Sequence, residues 1–224
     1  MDAVYELRRY TLHPGRRDEL IELFDREFVE SQEDLGASVA GTFRDLDDPD
    51  RFVWLRGFRD MAVRLRALTD FYGGPVWKAN SAAANATMVD SDDVLLLRPV
   101  RPGSGPSRDG ERPPVGAPAP GSVVVATVHH LAQPVGAEFR DAFEAARPVL
   151  TATGAEPLAY LETEYAVNDF PGLPVRTGEH VFVWFAADTA PERYSDGPEW
   201  TKLAALTART ERMRLSPTGR SLLR

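Results

Sequence analysis

Hydrophobic and polar positions change period several times along the chain, and each change marks an element. Residues 3–12 alternate β-forming and polar side chains, the period-2 pattern of a strand. His13-Pro14-Gly15 turns the chain, and residues 16–34 then place Leu20, Ile21, Leu23, Phe24 and Phe28 on a helical stripe whose other face is acidic. Gly36 stops that helix. Residues 37–43 and 51–58 read as strands joined by Asp45-Leu46-Asp47-Asp48-Pro49-Asp50, a turn because Asp side chains bond their own backbone and Pro fixes φ. Residues 60–71 return to helical spacing, Gly73-Gly74-Pro75 breaks it, and Pro75 opens a further helix to about Ala86. Val94-Leu95-Leu96-Leu97 is a buried strand. The order is β-α-β-β-α-β with the second helix split, the order of a ferredoxin-like unit.

The pattern then repeats in outline. Strands are predicted over residues 123–130, 158–164 and 181–187, helices over 136–152 and 199–209, and a last strand over 211–215. Phe52-Val53-Trp54 matches Phe182-Val183-Trp184, and Phe71-Tyr72-Gly73-Gly74-Pro75-Val76-Trp77 matches Tyr194-Ser195-Asp196-Gly197-Pro198-Glu199-Trp200 in the same order. Between the halves, Pro and Gly fill 11 of the 21 positions from 101 to 121. Such a composition cannot support a core, so an exposed linker that is cleaved first by proteases is expected. The expected fold is α+β: two tandem ferredoxin-like units, 1–100 and 122–224, whose sheets pair into one barrel. The linker is long enough for that pairing to occur within one chain or between two chains.

The segments VYELRRYTLHPG, FRDLDDPDRFVWLRGF, FYGGPVWKAN and NATMVDSDDVLLLRP resemble NIPSNAP-family domains over residues 3–99; FVWF and GPEW carry a weaker likeness over 122–224. The resemblance implies a dimeric α/β barrel. Related barrels include cofactor-free monooxygenases, isomerases, cyclases and haem-degrading enzymes, so the fold gives analogy rather than an activity.

Composition narrows the partners. The chain of 224 residues carries a formal charge of −8, which disfavours phosphate backbones and anionic membranes, so no nucleic acid partner is expected. The absence of cysteine removes disulfides, thiolate nucleophiles and Cys-ligated metals. No leader-like start and no run of eighteen apolar residues is found, which reads as a cytoplasmic protein without a membrane span. A homo-oligomer is left open.

Candidate chemistry is sparse. Alternation puts Glu6, Arg8 and Tyr10 on one face of the first strand, either as polar equipment of a cavity or as an ion pair that only fixes the sheet. Trp54 and Trp184 sit in strands, and Trp77 and Trp200 follow Gly-Pro breaks at helix starts. These four either pack the core or line a pocket for a flat apolar or aromatic ligand, with Tyr72 or Asn80 offering a hydrogen bond. His129 and Tyr10 occupy matching places in the two halves and are the weak candidates for a catalytic base. No metal site is expected, because His129 and His130 point to opposite faces and the aspartates from 45 to 50 read as a solvated turn. No histidine near Trp77 and Asn80 supports an axial haem ligand, and no cofactor is expected. Three readings follow: a barrel protein that binds a small apolar or aromatic molecule, a cofactor-free oxygenase, isomerase or cyclase, or a non-catalytic interaction protein with a filled barrel.

Overall fold

The computed structural model describes residues 2–107, 110–188, 195 and 197–224. The linker residues Arg108 and Asp109, and Tyr194 and Asp196 of the repeated landmark, lie outside them. In chain order come β1 (Val4–Leu12), α1 (Arg17–Leu23), a π-helical turn (Phe24–Phe28), α2 (Val29–Glu33), β2 (Ala37–Asp45), β3 (Arg51–Phe58), α3 (Met61–Gly73), α4 (Pro75–Asn85) and β4 (Met88–Pro99). There follow β5 (Val124–His130), α5 (Ala137–Ala152), β6 (Pro157–Thr163), β7 (Val181–Ala187), α6 (Pro198–Leu206) and β8 (Arg209–Pro217).

All eight strands join one closed antiparallel barrel in the order β1-β3-β2-β8-β5-β7-β6-β4. The seams between the halves are β2 against β8 and β4 against β6, so the barrel closes within a single chain. Strand alternation decides what fills it. Leu7 and Tyr5 of β1, Leu55, Leu97, Val128, Leu161, Phe185 and Leu215 are among the side chains from all eight strands that form one continuous apolar cluster, the barrel lumen. The opposite faces carry Tyr10, Phe52 and Trp54 in the first half and Phe182 and Trp184 in the second, and each set packs under its own helices. Glu6, Arg8 and Tyr10 therefore face the helices, while apolar side chains line the lumen. Among the described residues no helix is long and apolar enough to cross a membrane.

Several segments differ from their sequence-based expectation, among them β4, which starts six residues earlier at Met88, and α6, which ends at Leu206. The helix over 16–34 contains the π-helical turn, in which one extra residue per turn re-aims the aromatic stripe. Residues 101–121 are tied to the barrel at several points: Ser104 is buried and its carbonyl accepts the Tyr160 N–H, and Arg112 donates to Glu33, to the Val39 carbonyl and to the Arg220 carbonyl. The last strand runs two residues further at each end than expected, to Arg209 and Pro217, and the chain beyond it docks on the first half. There the Thr42 and Thr218 hydroxyls meet at 2.7 Å, Leu223 enters the lumen cluster, and the tail crosses the linker at Gly219, where any Cβ would strike the Ala117 carbonyl.

Candidate functional site

The chemistry gathers between the outer face of β1 and β3 and the helices of the first half. Antiparallel register sets Glu6 opposite Arg56 and Arg8 opposite Trp54. Glu6 Oε2 accepts from Arg8 Nη1 at 2.7 Å and from Arg56 Nε and Nη2 at 2.9 and 2.7 Å, while Oε1 accepts from Arg64 Nε of α3 at 2.7 Å. All four side chains are fully buried. Burial alone would raise the Glu6 pKa, but Arg56, Arg8 and Arg64 outweigh it and hold the carboxyl well below its ordinary range. The long loop between β6 and β7 reaches over from the second half: Asp169 and Asn168 accept from Arg64 at 2.7 and 3.1 Å, and Phe170 stacks on Tyr72 with ring centroids 5.9 Å apart.

Beside this cluster lies a cavity of about 30 Å³, room for one water molecule, walled by Tyr10, Phe24, Phe28, Trp54, Tyr72 and Trp77 together with Gln32 and Met88. Its polar groups are supplied at different depths. Tyr10 Oη accepts from Arg8 Nε at 3.0 Å, Gln32 Oε1 accepts from Arg56 Nη1 at 2.8 Å, and burial pushes the Tyr72 phenol pKa up. Trp54 is 2% exposed, and among the described residues its Nε1–H has no acceptor. The Arg56 guanidinium sits 4.9 Å from the Trp54 ring centre, and Arg8 sits 5.6 Å from it. The π-helical turn places both Phe24 and Phe28 in the wall; α4, which forms another part of it, buries only Ala84.

The corresponding place in the second half is filled. Thr127 stands opposite Trp184 as Arg8 stands opposite Trp54, and Val125 and Ala186 pair where Glu6 and Arg56 pair. Trp184 donates its Nε1–H to His129 Nε2 at 3.2 Å, which leaves Nδ1 as the protonated nitrogen to donate to Thr207 Oγ1 at 3.3 Å, and the Thr207 hydroxyl donates to the Leu203 carbonyl. Trp200 packs on both His129 and Trp184, at 5.9 and 6.1 Å between ring centres. Burial holds the His129 pKa down to about 4, so the ring is neutral, and both nitrogens are occupied.

Residues 5–102 match the NIPSNAP family profile. This segment is a NIPSNAP domain. No curated protein matches the chain at a significant level. Its fold is similar to that of a candidate monooxygenase from Fusobacterium nucleatum, at 9% identity and a TM-score of 0.61, with 97% of this chain and 93% of that one covered. A candidate monooxygenase from Lactobacillus acidophilus aligns at 13% identity and a TM-score of 0.57, covering 97% of this chain and 94% of that one. An anthrone oxidase-like protein aligns at 12% identity and a TM-score of 0.56, covering 97% and 92%. At such identities these likenesses concern the fold alone.

Within the NIPSNAP domain, Tyr10, Trp54, Tyr72 and Trp77 meet at the cavity, with Glu6 and Arg8 directly behind it. Asn80 is not part of that wall, because its amide donates to the Val76 carbonyl one turn back in α4. Trp184, Trp200 and His129 belong to the filled second half. Arg56, Arg64, Gln32, Phe24 and Phe28 are site residues that the strand and helix patterns alone did not single out. The sequence did hold a signal for Arg64: with Ala67, Leu68 and Phe71 it occupies the buried stripe of α3, where a lone arginine needs a buried anion. A larger hollow of about 980 Å³ lies at the β4–β6 seam, but Arg98 and Arg140 in its wall are both paired with the buried Glu162. Among the described residues no cluster of His, Asp or Glu is arranged to hold a metal ion.

Proposed function

We propose that the NIPSNAP domain binds one small, mostly aromatic molecule per chain between the β1–β3 face and its helices. The observation that carries the reading is the buried Trp54 Nε1–H, without an acceptor among the described residues, on a residue that lines an aromatic cavity, while its counterpart Trp184 is capped by His129. A donor buried without an acceptor is unfavourable by about 1 to 3 kcal/mol, so a bound molecule that supplies the acceptor would be stabilised there. Ligand pockets usually measure about 300 to 1,000 Å³, so the cavity must widen to admit one. The wall that can yield is α4, which is held by Val76, Trp77 and Ala84 rather than by a full apolar face.

The element order and the parallel placement of Trp54 and Trp184 favour tandem ferredoxin-like units over 1–100 and 122–224, joined by 101–121, with one binding half and one supporting half. Binding is preferred to catalysis because Glu6 is held by three arginines and His129 has no free lone pair. The test is native mass spectrometry of the freshly purified full chain beside Ala84→Phe, which fills the cavity. A retained small molecule in the wild type that is absent from Ala84→Phe is expected. No adduct, together with no rise in melting temperature across a panel of one- and two-ring aromatics, would overturn the reading.

A further inference from the structure

We infer that the molecule bound here is an aromatic anion, its oxygen held by the Trp54 Nε1–H and the Tyr10 hydroxyl; this rests on the cavity being a binding site. Three arginines, Arg8, Arg56 and Arg64, converge behind the cavity, and among the described residues two carboxylates, Glu6 and Asp169, meet them. One positive charge is left in excess. Arg8 and Arg56 share a single oxygen of Glu6, whereas Arg64 alone has both the other oxygen and Asp169. The excess therefore lies on the Arg8 and Arg56 side, against the Trp54 ring.

Two donors on that side have no acceptor among the described residues. Trp54 Nε1–H is one. The other is Tyr10: its oxygen accepts from Arg8 Nε at 3.0 Å, so its own proton is directed elsewhere, and among the described residues no acceptor takes it. Both residues line the same cavity, and their rings pack edge to face with centres 5.9 Å apart. A cationic ligand would add to the buried excess, and a neutral one would leave it uncompensated. An aromatic carboxylate or phenolate satisfies both donors, balances the excess charge and presents its ring to Phe24, Phe28, Tyr72 and Trp77.

The discriminating experiment compares 2-naphthoate with 2-naphthamide, equal in shape and different in charge, by calorimetric titration of the full chain in chloride-free buffer, since a halide would compete for the same donors. The expected result is naphthoate binding at least about tenfold tighter, a ratio that Arg8→Met abolishes and Arg8→Lys largely keeps. Trp54→Phe should weaken both ligands by a similar factor. Equal affinity for the two in the wild type overturns the anion assignment and leaves the aromatic pocket standing. Binding of neither overturns both, and binding that survives Ala84→Phe places the ligand elsewhere and refutes the assignment.

Discussion

Replacing Glu6 by Gln tests the charged cluster that holds the first half together. Gln keeps the shape and one carbonyl oxygen. If that oxygen takes the place of Oε2, it retains the Arg8 and Arg56 bonds, but the new NH₂ faces the Arg64 Nε donor at 2.7 Å, donor against donor. If it takes the other place, three bonds are lost instead of one. In both cases three fully buried arginines are left with Asp169 as their one carboxylate. Breaking a buried ion pair from one side is unfavourable by about 3 to 5 kcal/mol, a large share of the roughly 5 to 15 kcal/mol that stabilises a typical domain. For a chain of this size that lowers the melting temperature by roughly 6 to 20 °C. Urea denaturation followed by far-ultraviolet circular dichroism measures it directly. The folded-state pKa of Glu6 is depressed, so its contribution is complete above the unfolded value of about 4.5 and is lost as pH falls toward the folded one. The gap between wild type and Glu6→Gln should accordingly narrow in acid. A loss below about 1 kcal/mol at pH 7, or a gap independent of pH, would show that the arginines do not depend on this carboxylate.

Three further outcomes are expected. Trp184→Phe and Trp54→Phe remove similar volumes, but only the first strips His129 Nε2 of its donor, so it should be the more destabilising by about 1 to 2 kcal/mol in urea denaturation; equal losses would remove the contrast between the two halves. Asp25, in the π-helical turn, has its pKa pushed up to about 6 by burial despite nearby Arg220, so its charged form opposes folding. Asp25→Asn should therefore raise the melting temperature at pH 7.5, by an amount worth about 1 kcal/mol after allowance for its exposed side, with the gain shrinking below pH 6 and gone below about pH 3.8; a gain that persists in acid would assign it to another cause. Arg112→Ala removes the linker's bonds to Glu33, Val39 and Arg220, so elastase should cut residues 113–121 about tenfold or more faster than in the wild type, and an unchanged rate would mean that the linker is not held there.

The strand and helix order was readable because period-2 and period-3.6 patterns are written in single residues. The face of β1 that carries Glu6, Arg8 and Tyr10 came from alternation in the same way. What that face meets did not, because Glu6 acquires its role from Arg56, fifty residues on, and Arg64, fifty-eight residues on. The π-helical turn was hidden because Leu20, Phe24 and Phe28 fit an unbroken α-helix equally well, and the extra residue shows only in the backbone. Linker composition left the attachments of an otherwise largely exposed segment unread for another reason. Pro and Gly report how little a segment can bury, and residues 101–121 are fastened instead by the polar bonds of Ser104 and Arg112, partly to a C-terminal tail whose docking has no periodic signature. The loop carrying Asn168, Asp169 and Phe170 likewise completes a site in the other half, which is a matter of tertiary reach.

The most direct test of the first-half site is the indole N–H spectrum. Four tryptophans give four assignable signals in an ¹⁵N correlation spectrum. On titration with 2-naphthoate, the Trp54 signal should move progressively to saturation as its N–H gains an acceptor, and the Trp184 signal, already bonded to His129, should stay in place. A Trp54 signal that does not respond, or a Trp184 signal that moves as far, would contradict a binding site confined to the NIPSNAP domain.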